Sequence, residues 1–268
     1  MVNLFYDCYN VLSKVYSDKA FIKQALSSTV IEPLNKLKTV KICYGVLDKD
    51  IELDYYIGCL CDKAPKLKIK ILIKIALYSI KYLEKKPYAV INSTVELVKK
   101  LGKGANASFV NAVLRRFCAE DILMPEDKIE YLSVKYSYPV FAVKKLIDFY
   151  GESIAESVMA YDEEKTFVRF DSGVDGEKYL TENGYSFEKT PFYNLFSVLH
   201  ISINEDFEKG IFTFQSIGSV AICFVAGCGD ELLDACAGPG GKSAYLSDKF
   251  KSVVACELHQ HRADLIKA

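Results

Sequence analysis

The segment from Glu231 to Glu257 constrains the fold more tightly than any other part of the chain. It reads Leu232-Leu-Asp-Ala-Cys-Ala-Gly-Pro-Gly-Gly-Lys-Ser243, then Ala244-Tyr-Leu-Ser-Asp-Lys249, then Ser252-Val-Val-Ala-Cys-Glu257. An apolar strand leads into a glycine turn, the turn opens a helix, and a second apolar strand ends on an acid. That order predicts the β-α-β start of a doubly wound sheet. Glycines let the main chain approach a ligand that a Cβ would hold away, and a helix N-terminus offers free N–H groups to an anion. Glu257 follows Asp234 by 23 residues, at the tip of the second strand, where a carboxylate can accept both hydroxyls of a ribose. A nucleoside-like cofactor is therefore expected. The dinucleotide pattern is incomplete, because Ser243 stands where its third glycine belongs. The triphosphate pattern fits at Gly241-Lys-Ser243, but Cys236 replaces its first glycine and Asp234 would oppose phosphates.

The rest of the chain is long enough for other domains. It has 268 residues, half of them hydrophobic, and 22 Gly plus Pro, which excludes a disordered or collagenous protein. The net charge of −1 hides a split at Glu120: residues 1–120 carry 20 basic against 11 acidic side chains, residues 121–268 carry 14 against 24. A basic first part suits a polyanion such as nucleic acid, or a solvated lysine-rich helical surface. Met1-Val-Asn-Leu-Phe-Tyr-Asp-Cys8 has no basic or apolar leader pattern, so a cytoplasmic protein with reduced thiols is expected. The nine cysteines form no Cys-x-x-Cys pair, and Cys59-Leu-Cys61 has no partnering cluster, so no metal site is expected. The uncharged run from Gly210 to Gly229 spans 20 residues; its polar residues and flanks predict a buried helix rather than a membrane span.

From Leu4 to Cys118 the pattern is helical throughout. Leu67, Ile71, Ile75 and Tyr78 form an apolar stripe, with Lys66, Lys70, Lys74 and Lys81 on the other side. Ser93-Thr-Val-Glu96 reads as a capping box, Gly102 as a helix stop, and Phe109 to Phe117 as the last helix of a bundle. Further amphipathic helices are expected between Pro125 and Lys165, broken at Gly151. Thr166–Phe170 then alternates as a strand, Asp175–Asn183 reads as a short helix ended by Gly184, and Phe192–Ile203 returns to strand-like residues. A small α+β module follows from that order.

Two resemblances add to this reading. Leu53, Ala76-Leu-Tyr78, Val90-Ile-Asn92, Val95-Glu-Leu97 and above all Phe109-Val-Asn-Ala-Val-Leu-Arg-Arg116 resemble the NusB-type helical domain, which implies RNA binding. Arg115 and Arg116 would then face RNA, or else only complement the helix dipole. Asp234-Ala-Cys-Ala-Gly-Pro-Gly-Gly-Lys242 closely resembles the cofactor motif of the RNA cytosine-carbon-5 methyltransferases of the Nol/Nop/Sun type. Glu257-Leu-His-Gln-His-Arg262 is similar to the same family, as is Phe214-Gln-Ser-Ile-Gly-Ser219, with Ser216 in place of the usual Asp. Val168-Arg-Phe-Asp171 partly matches a family segment whose arginine corresponds to Arg169. The domain order is similar to that of the bacterial 16S ribosomal RNA methyltransferases of this family.

The resemblance implies a multidomain α and α/β protein. Residues 1–120 would be an all-α NusB-like RNA-binding bundle. Residues 121–209 would be linker helices and a small α+β RNA-binding module, and residues 210–268 the incomplete start of a Rossmann-like S-adenosylmethionine-dependent methyltransferase domain. Cys236, Ala237, Gly238, Pro239, Gly240, Gly241 and Lys242 would line S-adenosyl-L-methionine, and Glu257 would hold its ribose. Asp234 would order the turn, and His259 and His261 carry no chemistry. The expected partner is 16S ribosomal RNA, bound by a monomer without membrane or metal.

Methylation of carbon 5 of cytosine needs a thiolate that adds at carbon 6. In the resembled family the key cysteines stand in Pro-Cys and Thr-Cys dipeptides, and none of the nine cysteines here follows a proline or a threonine. The 37 residues from Leu232 to Ala268 are also few for a domain, which typically has about 100–150. The expectation is therefore an N-terminal portion of a longer enzyme, inactive alone. The rival expectation is a non-enzymatic NusB-like RNA-binding or antitermination protein.

Overall fold

The computed structural model describes residues 1–161 and 165–267 and divides after Tyr161 into two compact units. The end of the helical stretch expected up to Lys165 and the last residue, Ala268, fall outside the described residues.

The first unit is all helical: α1 (Val2–Asp18), α2 (Ile22–Ser27), α3 (Lys36–Asp48), α4 (Asp50–Leu60), α5 (Leu67–Lys81), α6 (Pro87–Lys100), α7 (Ala107–Ala119), α8 (Lys128–Tyr136), α9 (Val140–Tyr150) and α10 (Glu152–Ala160). Its core is built around α5, which is buried continuously from Ile71 to Ser79 and packs on α1, α3, α4, α6 and α7. That burial corrects the expectation of a lysine face on α5. Lys74 is only 2% exposed and its ammonium lies 2.5 Å from Asp50 and 2.6 Å from Asp54, while Leu67 is 41% exposed. A buried ammonium persists only with such partners, and Tyr16 completes the cage with its hydroxyl on Asp50 and its ring below Lys74. A second polar cluster gathers on Glu52, which accepts from Tyr56 at 2.6 Å, Lys81 at 2.6 Å and Tyr82.

The expected capping box at Ser93–Glu96 is also corrected, since both residues lie inside α6. Pro87 starts that helix six residues earlier, because its φ is preset and it has no N–H to leave unpaired. Glu96 instead pairs with Lys100 at 3.1 Å. Gly102, at φ +69°, ends the helix as expected. The helices after Glu120 belong to this unit: α8 packs on α4, Ser137 Oγ accepts from the Glu52 N–H, and Tyr55 donates to the Leu123 carbonyl.

The second unit opens with a four-stranded antiparallel sheet in the order β2-β3-β1-β4, built from β1 (Thr166–Phe170), β2 (Phe187–Lys189), β3 (Leu195–Val198) and β4 (Phe212–Phe214), with α11 (Gly176–Glu182) and α12 (Glu205–Glu208) between them. The period of two along β1 sorts its side chains. Val168 and Phe170 enter an aromatic core with Leu180, Phe196 and Phe212, whereas Phe167 joins Leu195 and Val220 on the opposite face.

The run from Gly210 to Gly229 is not the single buried helix that its composition suggests. Phe212–Phe214 pairs with β1, and Ser216 then caps α13 (Ile217–Ala226) by accepting from the Ser219 N–H. Gly227, at φ +71°, stops it. Only Val220 and Cys223 of this helix are buried; Ile222, Phe224 and Val225 are exposed. No helix among the described residues is long and apolar enough to cross a membrane. The chain continues into β5 (Gly229–Asp234), α14 (Gly241–Ser247), β6 (Phe250–Ala255) and α15 (Gln260–Lys267). β5 and β6 pair in parallel, with Leu232 beside Val253 and Asp234 beside Ala255.

Candidate cofactor site

The parallel pairing of β5 and β6 brings the end of one strand beside the end of the other, and the glycine turn closes over both. Cys256 N–H donates to the Asp234 carbonyl at 2.8 Å, and Ala237 N–H donates to the Cys256 carbonyl at 2.9 Å. Asp234 works on the turn itself. Its Oδ2 accepts from Ser243 Oγ at 2.7 Å and its Oδ1 receives the Cys236 N–H at 3.4 Å, so one carboxylate spans the turn and the first part of α14.

Two glycines of the turn are required by backbone conformation. Gly238 has φ +58° and Gly240 φ +90°, values that a Cβ makes costly. A Cβ at Gly238 would meet nothing within 4 Å, so open space lies over that part of the turn. At Gly240 it would come 3.1 Å from Ile266 Cγ1, because α15 packs against the turn there.

Glu257 lies two residues beyond β6. Its Oε1 accepts the His259 N–H at 2.8 Å, and this bond, helped by the nearby Arg262 charge, holds the carboxyl below its ordinary value. The Ala237–Cys256 bond thus brings the glycine turn beside the strand end that leads into Glu257, from opposite ends of the motif. Among the other residues expected at the site, Ala237 is buried beneath the turn, Cys236 and Gly241 are exposed, and Lys242 is half-buried without an ion pair among the described residues. Pro239, Gly240 and Gly241 also border a cleft of about 640 Å³ that runs to Arg169, Thr213 and Ser243; Cys236, Gly238 and Glu257 lie outside it.

Sequence reasoning did not anticipate the support beneath this turn. Gln215 is buried, accepts from Arg169 Nε at 2.7 Å through Oε1, and donates to the Gly241 carbonyl at 3.1 Å through Nε2. The Arg169 guanidinium also lies 5.3 Å from the centre of the Tyr245 ring, and burial lowers its affinity for its proton below the ordinary arginine value. Arg169 is therefore engaged with the turn and its helix, at the edge of the cleft. The signal was the period of two: Arg169 shares its side of β1 with Phe167. Arg116 is likewise engaged, with Glu120 at 2.7 Å and the Leu60 carbonyl at 2.8 Å. Arg115 reaches only Asn111, at 3.3 Å. Among the described residues no three His, Cys, Asp or Glu side chains gather as metal ligands.

Residues 6–119 match the NusB family. Along most of its length the chain is similar to the probable ribosomal RNA small subunit methyltransferase B of Bacillus subtilis (strain 168), with 30% identity over 275 residues, covering 95% of this chain and 61% of the relative. Ribosomal RNA small subunit methyltransferase B of Vibrio vulnificus (strain YJ016) is 26% identical over 270 residues, covering 95% of this chain and 63% of the relative. The crystal structure of PH0851 shares the fold, with a TM-score of 0.69 at 14% identity, covering 100% of this chain and 66% of that one. The chain spans about six tenths of the length of the curated relatives it matches. It therefore carries a NusB family domain, followed by an α/β region, and is a homologue of proteins named ribosomal RNA small subunit methyltransferase B.

Proposed function

We propose that this chain belongs to an S-adenosylmethionine-dependent enzyme that methylates carbon 5 of a cytosine in 16S ribosomal RNA, working in the cytoplasm as a monomer. In this reading residues 1–120 bind RNA, residues 121–209 link and assist, and residues 210–268 supply the first cofactor contacts. The observation that carries the reading is the main-chain bond from Ala237 to the Cys256 carbonyl, at 2.9 Å, which sets the glycine turn, with open space over Gly238, beside the strand end that leads into Glu257. A ribose seated there would place its hydroxyls on Glu257, while the main chain of Cys236 to Lys242 follows the rest of the molecule. S-adenosylmethionine, when bound, supplies the electrophilic methyl group. The Arg169–Gln215–Gly241 chain keeps the turn in register, and Asp234 holds it from below.

Carbon 5 becomes nucleophilic only when a thiolate adds at carbon 6 of the flipped cytosine, giving a cysteine–RNA covalent intermediate. Cys236 is part of the cofactor turn, and none of the other eight cysteines stands in a Pro-Cys or Thr-Cys dipeptide. The 268 residues alone are accordingly inactive in methyl transfer. Incubation with 16S ribosomal RNA and methyl-labelled S-adenosylmethionine should leave the RNA unlabelled, while equilibrium dialysis detects weak retention of S-adenosylmethionine and none of ATP. Labelled RNA would refute the inactivity, and retention of ATP alone would refute the cofactor. The alternative of an RNA-binding protein without catalysis rests on the NusB match over 6–119 and the basic balance of residues 1–120. It would be favoured if RNA is bound while Glu257 and Gly238 variants retain every measurable property.

A further inference from the structure

In the first unit Lys38, Lys41 and Lys85 converge on a pocket of about 380 Å³ whose floor includes Leu4, Ile42 and Leu83. A volume of this size, with apolar walls and a few polar groups, is what small-molecule recognition uses. None of the three lysines forms an ion pair among the described residues. Asn35, which also lines the pocket, donates through Nδ2 to Asp7 at 2.9 Å and to Glu32 at 3.1 Å, so two carboxylates stand behind it beside the three lysines. Lys85 is half-buried, with its ammonium 5.7 Å from the centre of the Phe5 ring. Burial depresses its affinity for a proton; Cys8 opposes this in part, and the charge of Lys38 adds a smaller depression. An anion in the pocket would offset both effects.

We propose that this pocket takes one unstacked nucleotide of a single-stranded RNA segment, its base against Met1 and Leu83 over a floor closed by Leu4 and Ile42, and its flanking phosphates on Lys38, Lys41 and Lys85. The inference rests on the RNA-binding reading above and gives that reading a location. Sequence-tolerant RNA recognition combines a cationic track for phosphates with an apolar seat for a splayed base. Here the seat is aliphatic, so it discriminates little between bases. The pocket also draws together parts of the chain distant in sequence: the start of α1, the start of α3 and the turn after α5.

The test uses fluorescence anisotropy of the 268-residue chain with a short uridine oligonucleotide and with an oligomer of equal length lacking bases. The triple variant Lys38→Ala, Lys41→Ala, Lys85→Ala should bind the uridine oligomer about tenfold more weakly, with its salt dependence flattened by about 2 in log–log slope. The wild type should prefer the base-bearing oligomer severalfold, and the variant Leu83→Asp should abolish that preference while keeping the salt slope. Circular dichroism melts check that each variant is folded. Unchanged binding by the triple variant would overturn the pocket while leaving RNA binding by the unit intact, whereas no binding by the wild type would overturn both. Equal affinity for the two oligomers would remove the base from the pocket. Competition by uridine monophosphate as effective as by the oligomer would assign the pocket to a free nucleotide. Loss of binding to phosphatidylglycerol vesicles, with RNA binding retained, would assign it to a lipid surface. Either result would overturn the proposal.

Discussion

Gly238, Gly240 and Gly241 share one turn but answer to different constraints. Gly240→Ala would put a Cβ both into the left-handed region and against Ile266, and should destabilise the β5–β6 segment by about 1–3 kcal/mol. Gly238→Ala faces the same backbone penalty of about 1–2 kcal/mol without a clash, so the segment should survive while ligand approach is obstructed. Gly241→Ala, at the start of α14 with open space around it, should be neutral or slightly stabilising. Hydrogen exchange of the β5 and β6 amides would rank the three, and an equal loss for all would contradict the separate roles. Glu257 adds a pH prediction. Its carboxyl is held below the ordinary 4.5 in the folded protein, so the stability it contributes is present above 4.5 and fades as pH falls through the lower folded value. Cofactor retention that depends on this carboxylate should therefore be level from pH 5 to 8 and decline only in acid. A decline centred near neutrality would point to another group.

At the scale of elements, α5 is the member on which the helical unit depends. Lys74→Ala would leave Asp50 and Asp54 without their buried partner and should cost about 2–4 kcal/mol in chemical denaturation, moderated because each acid is about a third exposed. A change below about 0.5 kcal/mol would mean that the ion cluster is energetically idle. This helix also shows what was legible beforehand. Its existence was plain from three- and four-residue spacing, but its apolar stripe suggested one wet face. Periodicity reports which residues are apolar, not whether a lysine will meet two aspartates from another helix. The misplaced start of α6 has a local cause, since a Ser-x-x-Glu pattern signals a cap only where the chain is free to begin a helix, and Pro87 had already begun one. The glycine turn and its flanking strands could be read directly, because their chemistry is contiguous. The Arg169–Gln215 bond could not, because 46 positions separate its partners and only the four-stranded sheet brings them together. β2, three residues long, is too short for alternation to announce it.

Across the whole molecule the charge division at Glu120 falls inside the first compact unit, so the basic balance belongs to α1–α7 rather than to that unit as a whole. Replacing Lys and Arg by Glu in residues 63–116 should weaken RNA binding and flatten its dependence on salt, as counterion release requires. An unchanged slope would mean that this surface is merely solvated. The central claim is that residues 236–242 and Glu257 form one S-adenosylmethionine site, and direct photolabelling tests it. The 268-residue chain is irradiated with radiolabelled S-adenosylmethionine, digested, and the labelled peptides are identified by mass spectrometry. The account predicts label on peptides containing residues 236–242 or Glu257, displaced by excess unlabelled S-adenosylmethionine but not by ATP. Label confined to other peptides, or displaced by ATP, would contradict it.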